Sequence, residues 1–187
     1  VLYVNVGDYK NVWDELIRDI PQMRELATEH FDNWKDTKAF ATKALSASQI
    51  NNSDVVTDNN RDDNSKNITA DNSSEDTSDN ITGIHGFYHK NIFEAVYCTN
   101  LLMRSADVLV TKPSELAFYP VPKLFIKRVG GHEQWGAVHS AEIGDGTLEC
   151  RDIPHTLQMI KLFMEDDTYI IDMCKNIKKN KQMGIYN

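Results

Sequence analysis

Two polar loops, each placed after a short apolar stretch, carry the residues of this chain best suited to bind and act on a ligand. The first loop contains Thr111, Lys112, Pro113, Ser114 and Glu115, and the second contains Gly130, Gly131, His132, Glu133 and Gln134. Residues 107–110 and 122–126, which precede the loops, have the pattern of strands, and each loop leads into a helical pattern. Because α/β sheets bind ligands at the carboxyl ends of their strands, we expect function to depend on these two loops.

Each loop has a functional and a purely structural interpretation. Pro113 ends the first strand and suits the first turn of a short helix, in which Glu115 could accept hydrogen bonds from a pair of ligand hydroxyls. A carboxylate there also stabilises the helix dipole without any ligand. Gly130 and Gly131 could bring bare amides close to a phosphate, although a plain strand-to-helix turn uses the same residues. Both interpretations stay open at this point.

Strand and helix patterns alternate around these loops along most of the chain. Strands are predicted at residues 1–6, 25–31, 84–88, 107–110 and 122–126. Helices are predicted at residues 12–23, 35–47, 92–104, 132–142, 154–164 and 168–181. This alternation predicts an α/β fold, specifically a Rossmann-like three-layer sandwich with a mostly parallel sheet. The alternative is a flavodoxin-like sheet whose polar loop residues act only as helix caps.

The spacing of apolar residues predicts which face of each helix packs against the sheet. Asn91, with Glu94 three residues later, resembles a capping box that begins the third helix. The predicted sheet-facing side chains are Val12, Leu16, Ile20 and Met23 in the first helix, Phe93, Val96, Tyr97 and Leu101 in the third, and Leu157, Ile160, Met164, Ile170, Met173, Cys174 and Ile177 in the last two.

Residues 47–82 form a low-complexity tract rich in Asn, Ser and Asp, with too few apolar side chains to offset the entropy of ordering. We therefore predict a disordered insertion between residues 1–46 and residues 83–187 of the Rossmann-like domain. The tract holds eight acidic and two basic residues, so it carries −6 of the net charge of −8 and leaves only about −2 for the rest. Overall acidity is thus no guide to the ligand, and the lysines of residues 175–181 are typical of a solvated helix end rather than a nucleic-acid surface.

The three cysteines, Cys98, Cys150 and Cys174, form no CxxC pair and are odd in number. Free thiols in a reducing compartment fit this pattern better than a disulfide framework or a metal site, which favours the cytoplasm. The sequence contains no run of about eighteen apolar residues, the length that a membrane span needs. Because Val1 already belongs to a strand pattern, we expect the chain to be part of a longer protein.

Four features, taken in order along the chain, resemble a known family. They are the strand ending in residues 111–115, the following strand with Pro122, the loop at residues 130–134 and the small residue Ala137. They are similar to the C-terminal, donor-binding half of GT-B glycosyltransferases, in particular the lipid II-forming N-acetylglucosaminyltransferase and monogalactosyldiacylglycerol synthase group. The resemblance covers about residues 84–164. It implies transfer of a hexose from a UDP-sugar to an acceptor hydroxyl, with no cofactor and no obligatory metal.

The resemblance also implies a role for each matching residue. Glu115 would bind the nucleotide ribose, and Thr111 and Ser114 would line the sugar and phosphate pocket. His132 and Lys112 would stabilise the charge on the departing diphosphate, helped by Gln134 and the amides of Gly130 and Gly131. Gly7, in the loop after the first strand, would lie near the diphosphate.

A missing N-terminal acceptor domain would supply the general base and allow peripheral membrane association. The fragment alone would then bind nucleotide-sugar weakly and catalyse nothing.

Two departures from the family pattern keep other functions open. Only Ser114 separates Pro113 from Glu115, where the family has a glycine-rich segment, and Asp8 follows Gly7 where small neutral residues are usual. An acid beside a diphosphate is unfavourable without a compensating cation. The alternatives are a nucleotide-sugar epimerase of similar architecture and a non-catalytic nucleotide-binding or interaction module.

Overall fold

The computed structural model describes residues 1–19, 28–53 and 81–186. It divides the chain into two compact units, Val1–Ser105 and Ala106–Asn187. Each unit combines helices with a small parallel sheet. The α/β class predicted from the sequence is therefore confirmed.

In the described part of the first unit, three strands and three α-helices alternate along the chain. These are β1 (Leu2–Asn5), α1 (Lys10–Asp19), β2 (Thr28–Phe31), α2 (Trp34–Ser53), β3 (Ile84–Phe87) and α3 (Ile92–Leu102). The sheet order is β1-β3-β2 and both pairings are parallel, with Asn5 and Phe31 each opposite Phe87. All three strands therefore end at the same edge, and the helices begin there.

Aromatic contacts join two helices to the strands of this unit. Phe40 of α2 packs against Phe31 of β2 and Phe87 of β3, with ring centroids 4.8 and 5.6 Å away. Trp13 of α1 stacks on Tyr88, the residue that follows β3, at 5.8 Å.

The second unit, described up to residue 186, contains two strands, three α-helices and two 3-10 helices. The elements are β4 (Leu109–Thr111), a 3-10 helix (Glu115–Phe118), β5 (Lys123–Phe125), a second 3-10 helix (Gly131–Glu133), α4 (Gln134–Ile143), α5 (Ile153–Glu165) and α6 (Thr168–Gln182). β4 pairs with β5 in parallel, with Thr111 opposite Phe125. Successive residues of β5 serve two cores, since Leu124 packs with Cys150 and Phe163 while Phe125 packs with Ala117 and Ala137.

Most predicted elements are confirmed, within a few residues at each end. Asn91 caps α3 through its side chain, which accepts a hydrogen bond from the Phe93 amide. The helix predicted at 35–47 is longer in the structure, because α2 continues to Ser53, into the first residues of the low-complexity tract. The rest of that tract, residues 54–80, lies outside the described residues, as do residues 20–27.

Several predicted burial patterns are wrong. In α3 the buried side chains are Ala95, Cys98 and Leu102, whereas Phe93, Val96 and Tyr97 are more than half exposed. Leu157 and Met164 of α5 and Val12 of α1 are also exposed; Phe163 and Trp13 are buried instead. Val110 of β4, although it belongs to an apolar stretch, is exposed. Both α3 and α5 are apolar on more than one side, so periodicity alone could not select the inner face.

Candidate functional site

The two predicted loops meet at the carboxyl ends of β4 and β5. Because these strands are parallel neighbours, the chain leaves both of them at one edge of the sheet. The pairing extends one step further, with the Ile126 amide donating to the Thr111 carbonyl at 2.9 Å. We call the segment formed by residues 111–115 and 128–134 the β4–β5 rim.

Close backbone packing between α4 and the first loop shapes the rim. A Cβ atom at Gly136 would lie 2.5 Å from the carbonyl oxygen of Pro113 and 3.1 Å from the Cβ of Ala117. The Ser140 hydroxyl donates to the Ala117 carbonyl at 3.1 Å. A glycine at position 136 is therefore what allows α4 to approach the loop that carries Glu115.

An ion pair joins the two loops of the rim directly. Lys112 Nζ lies 2.6 Å from Glu133 Oε1, while Glu133 Oε2 accepts hydrogen bonds from the amides of Val129 at 2.8 Å and Gly130 at 3.2 Å. The Glu133 side chain is 6% exposed and that of Lys112 is 43% exposed. The lysine, followed by the two amides, lowers the pKa of Glu133 to about 2, so this carboxylate is charged at neutral pH.

The remaining rim residues face solvent to differing degrees. The imidazole of His132 lies over Gly130, since a Cβ there would be 2.6 Å from His132 Cε1. At Gly131 a Cβ would meet nothing within 4 Å, so the backbone is bare on that side. The side chains of Glu115, His132 and Gln134 are exposed, and those of Thr111 and Ser114 are half-buried.

One predicted site residue belongs to the other unit. Gly7 follows β1 with a φ of +65°, a conformation that other residues adopt at a cost. Its amide donates to Asn5 Oδ1 at 3.0 Å, and its carbonyl accepts from the His89 amide at 3.0 Å. The structure thus brings the other eight predicted residues to the β4–β5 rim and places Gly7 at the strand edge of the first unit.

A scan against protein-family models matches the chain to "Domain of unknown function (DUF6938)", over residues 1–72 and 48–187. The chain belongs to this family. The two matched ranges overlap at residues 48–72, inside the Asn/Asp-rich tract. A search of curated proteins and a search of solved structures returned no match.

Sequence reasoning missed the part that Glu133 plays in this DUF6938 chain. The signal was present, because a glutamate three residues after Gly130 has capping-box spacing, and the structure shows its side chain bonded to the Gly130 amide. Its pairing with Lys112 had no local signal, since the two residues are 21 positions apart. Lys112, expected to act on a diphosphate, instead contacts a carboxylate of its own chain.

A buried histidine at the strand edge of the first unit was also missed. The His89 side chain is buried, and its Nε2 lies 2.8 Å from the Thr37 hydroxyl in the first turn of α2. Burial lowers the pKa of His89, while the carboxylates of Glu94 and Asp32 oppose this decrease. We therefore expect a neutral imidazole at neutral pH.

A buried ionic cluster lies at the other end of β5. Lys123 Nζ is 2.7 Å from Asp145 Oδ2, and both side chains are fully buried. Lys123 also donates to the carbonyls of Tyr119 and Val121, and the Tyr186 hydroxyl donates to Asp145 Oδ2 at 2.6 Å. Burial lowers the pKa of Lys123, an effect that Asp145 opposes. Because Lys123 begins β5 and the rim follows its last residue, we assign this cluster to stability.

Two kinds of feature are absent from the described part of the chain. No group of three or more His, Cys, Asp or Glu side chains there is arranged to hold a metal ion. None of the helices described combines the length and the apolar character that crossing a membrane would require.

Proposed function

We propose that this chain is the nucleotide-sugar-binding half of a GT-B-like glycosyltransferase, with a Rossmann-like three-layer architecture. The donor, a UDP-sugar, would bind at the β4–β5 rim, and a hexose would pass to an acceptor hydroxyl held by a separate domain. We infer a cytoplasmic location from the free thiols. The alternation of parallel strands and helices in both units supports the fold part of this proposal.

The observation that carries the proposal is the Lys112–Glu133 ion pair. It links the loop that holds Glu115 to the loop that holds His132, with 2.6 Å between the paired atoms. Apart from Gly7, the residues that the resemblance assigns to the ribose and the diphosphate therefore lie around one edge of parallel strands. Such an edge is where α/β sheets bind nucleotides.

In this proposal four rim residues have separate tasks. The Glu115 carboxylate accepts hydrogen bonds from the ribose hydroxyls, and the bare backbone at Gly131 leaves room for the sugar diphosphate. Lys112 and His132 stabilise the negative charge that develops on the departing diphosphate. Glycosyl transfer of this kind depends on positioning and charge stabilisation, which fixed cations and amides provide.

A non-catalytic nucleotide-binding module is the second candidate. It is favoured by one observation, that Lys112 and the Gly130 amide already bind Glu133. A lysine that is paired with a carboxylate of its own chain stabilises the negative charge of a leaving group less. The two candidates share the nucleotide site and differ in whether sugar is transferred.

Calorimetric titration of the protein with UDP and UDP-sugars tests the proposal. We expect binding that Glu115→Ala abolishes and that Glu142→Ala, an exposed carboxylate near the end of α4, leaves within about twofold. An assay of hexose transfer to an acceptor hydroxyl would then separate the enzyme from the binding module. Absence of heat with every nucleotide would overturn both candidates.

A further inference from the structure

The Glu133 carboxylate occupies the position at the β4–β5 rim that is best equipped to bind an oxyanion. Three donors converge on it, and they come from the loops after two different strands: Lys112 Nζ, the Val129 amide and the Gly130 amide. Two successive amides aimed at one oxygen, together with an ammonium group, are the elements of phosphate sites in other proteins. Here the chain fills that position with its own side chain.

Two neighbours of this buried carboxylate are exposed to solvent. The Lys112 side chain is 43% exposed. The Gly131 backbone has nothing within 4 Å of a Cβ position. His132, whose ring lies over Gly130, is exposed beside the same amides. A phosphate group arriving at the rim would therefore come close to Glu133 and meet a like charge.

We propose that Glu133 is an internal competitor for phosphate groups at the β4–β5 rim, and so sets the affinity of the rim for its ligand. In the free protein its carboxylate satisfies Lys112 and the two amides. When a diphosphate binds, these donors transfer to the phosphate oxygens and the Glu133 side chain moves out. The choice of a diphosphate as the ligand rests on the proposed function; the competition for the donors does not.

This arrangement has a direct consequence for binding. The ligand must break three charge-assisted hydrogen bonds before it makes its own, so the wild-type protein binds phosphate groups weakly. Neutralising Glu133 removes the like charge and weakens the bond to Lys112, so the donors become available to the ligand. A residue that only capped the following helix would have no such effect on anion binding.

The test compares Glu133→Gln with Glu142→Gln, which removes one negative charge from an exposed site near the end of α4. Pyrophosphate and UDP are titrated into each protein by calorimetry at low ionic strength. We expect Glu133→Gln to bind pyrophosphate about tenfold more tightly than wild type, a change of about 1.4 kcal/mol. Glu142→Gln is expected to stay within about twofold, and adding Lys112→Gln to Glu133→Gln should abolish the gain. Unchanged or weaker pyrophosphate binding by a folded Glu133→Gln protein would overturn the inference.

A measurement on the wild-type protein keeps the test independent of how the variants fold. In a titration with pyrophosphate followed by amide NMR, we expect the signals of Val129 and Gly130 to move most; if they remain still at saturation, the competition does not occur.

Failure of the proposed function would give a different result from failure of this inference. UDP would then bind no better than pyrophosphate to any of the proteins, while Glu133→Gln would still bind pyrophosphate more tightly than wild type.

Discussion

The buried pair of Lys123 and Asp145 makes a prediction whose magnitude follows from its surroundings. Lys123→Met removes the cation but keeps a side chain of similar length, and leaves the Asp145 carboxylate fully buried with the Tyr186 hydroxyl as its remaining hydrogen-bond partner among the described residues. Removing one partner of a buried pair costs about 3–5 kcal/mol of the free energy of unfolding. We expect a loss in this range at neutral pH.

The double variant Lys123→Met/Asp145→Leu is expected to lose less than the single one. No charge then remains buried, and the cost reduces to polar groups that each lose one hydrogen bond: the carbonyls of Tyr119 and Val121 and the hydroxyl of Tyr186. The Tyr119 carbonyl keeps its hydrogen bond from the Val121 amide. These groups cost about 1–3 kcal/mol together if water or small shifts satisfy part of them. The informative result is therefore which of the two variants loses more of the free energy of unfolding.

Urea unfolding followed by far-UV circular dichroism measures these free energies. Hydrogen exchange read by mass spectrometry assigns the loss to residues 106–186, because two compact units need not unfold together. A double variant as unstable as the sum of both single variants would refute the reasoning, since it would mean that the two side chains stabilise the protein independently of each other. Tyr186→Phe removes one hydrogen bond to the buried carboxylate but keeps the ion pair, and it should lose about 1.5–3 kcal/mol, less than Lys123→Met.

Two further predictions concern positions with unusual surroundings. Burial holds the pKa of His89 in the folded protein below its ordinary value of 6.5, so the unfolded chain binds the proton more readily. The free energy of unfolding should therefore fall as the pH decreases below about 6.5. His89→Gln should flatten this part of the pH profile of urea unfolding, and an unchanged profile would contradict the assignment. Gly136→Ala should lose about 1–3 kcal/mol in thermal or urea unfolding because its Cβ would press on the Pro113 carbonyl, whereas Gly131→Ala, which meets open space, should be close to wild type. Equal stability of the two glycine variants would show that α4 can shift freely.

Local patterns in the sequence were sufficient for the elements of this fold. The strand before Pro113, the cap at Asn91 and the helices after residues 130 and 153 each follow from residues a few positions apart, and the structure confirms them. Which face of α3 is buried depends on its neighbours, because Asn5 in β1 bonds to the Ala95 carbonyl and fixes the rotation of the helix. No periodicity within α3 contains that information.

The candidate site also combines features that local sequence patterns predict with features that depend on contacts in the folded protein. Placing the loops of residues 111–115 and 130–134 at one edge required only that two strands be parallel neighbours, and this is confirmed. The pairing of Lys112 with Glu133 required knowing which side chain of one loop reaches the other, and this depends on the approach of α4 that Gly136 permits. The role of Lys112 in binding a diphosphate stays a prediction.

The contact between Gly136 and the Pro113 carbonyl also has a mechanical consequence. With no side-chain atoms between the two backbones, there is no compressible layer to absorb displacement, so the start of α4 and the loop after β4 must shift together. A molecule that touched only one of these segments would thereby change the thermal fluctuations of the other. Correlated NMR relaxation of the amides in these two segments would be the evidence for this rigid contact.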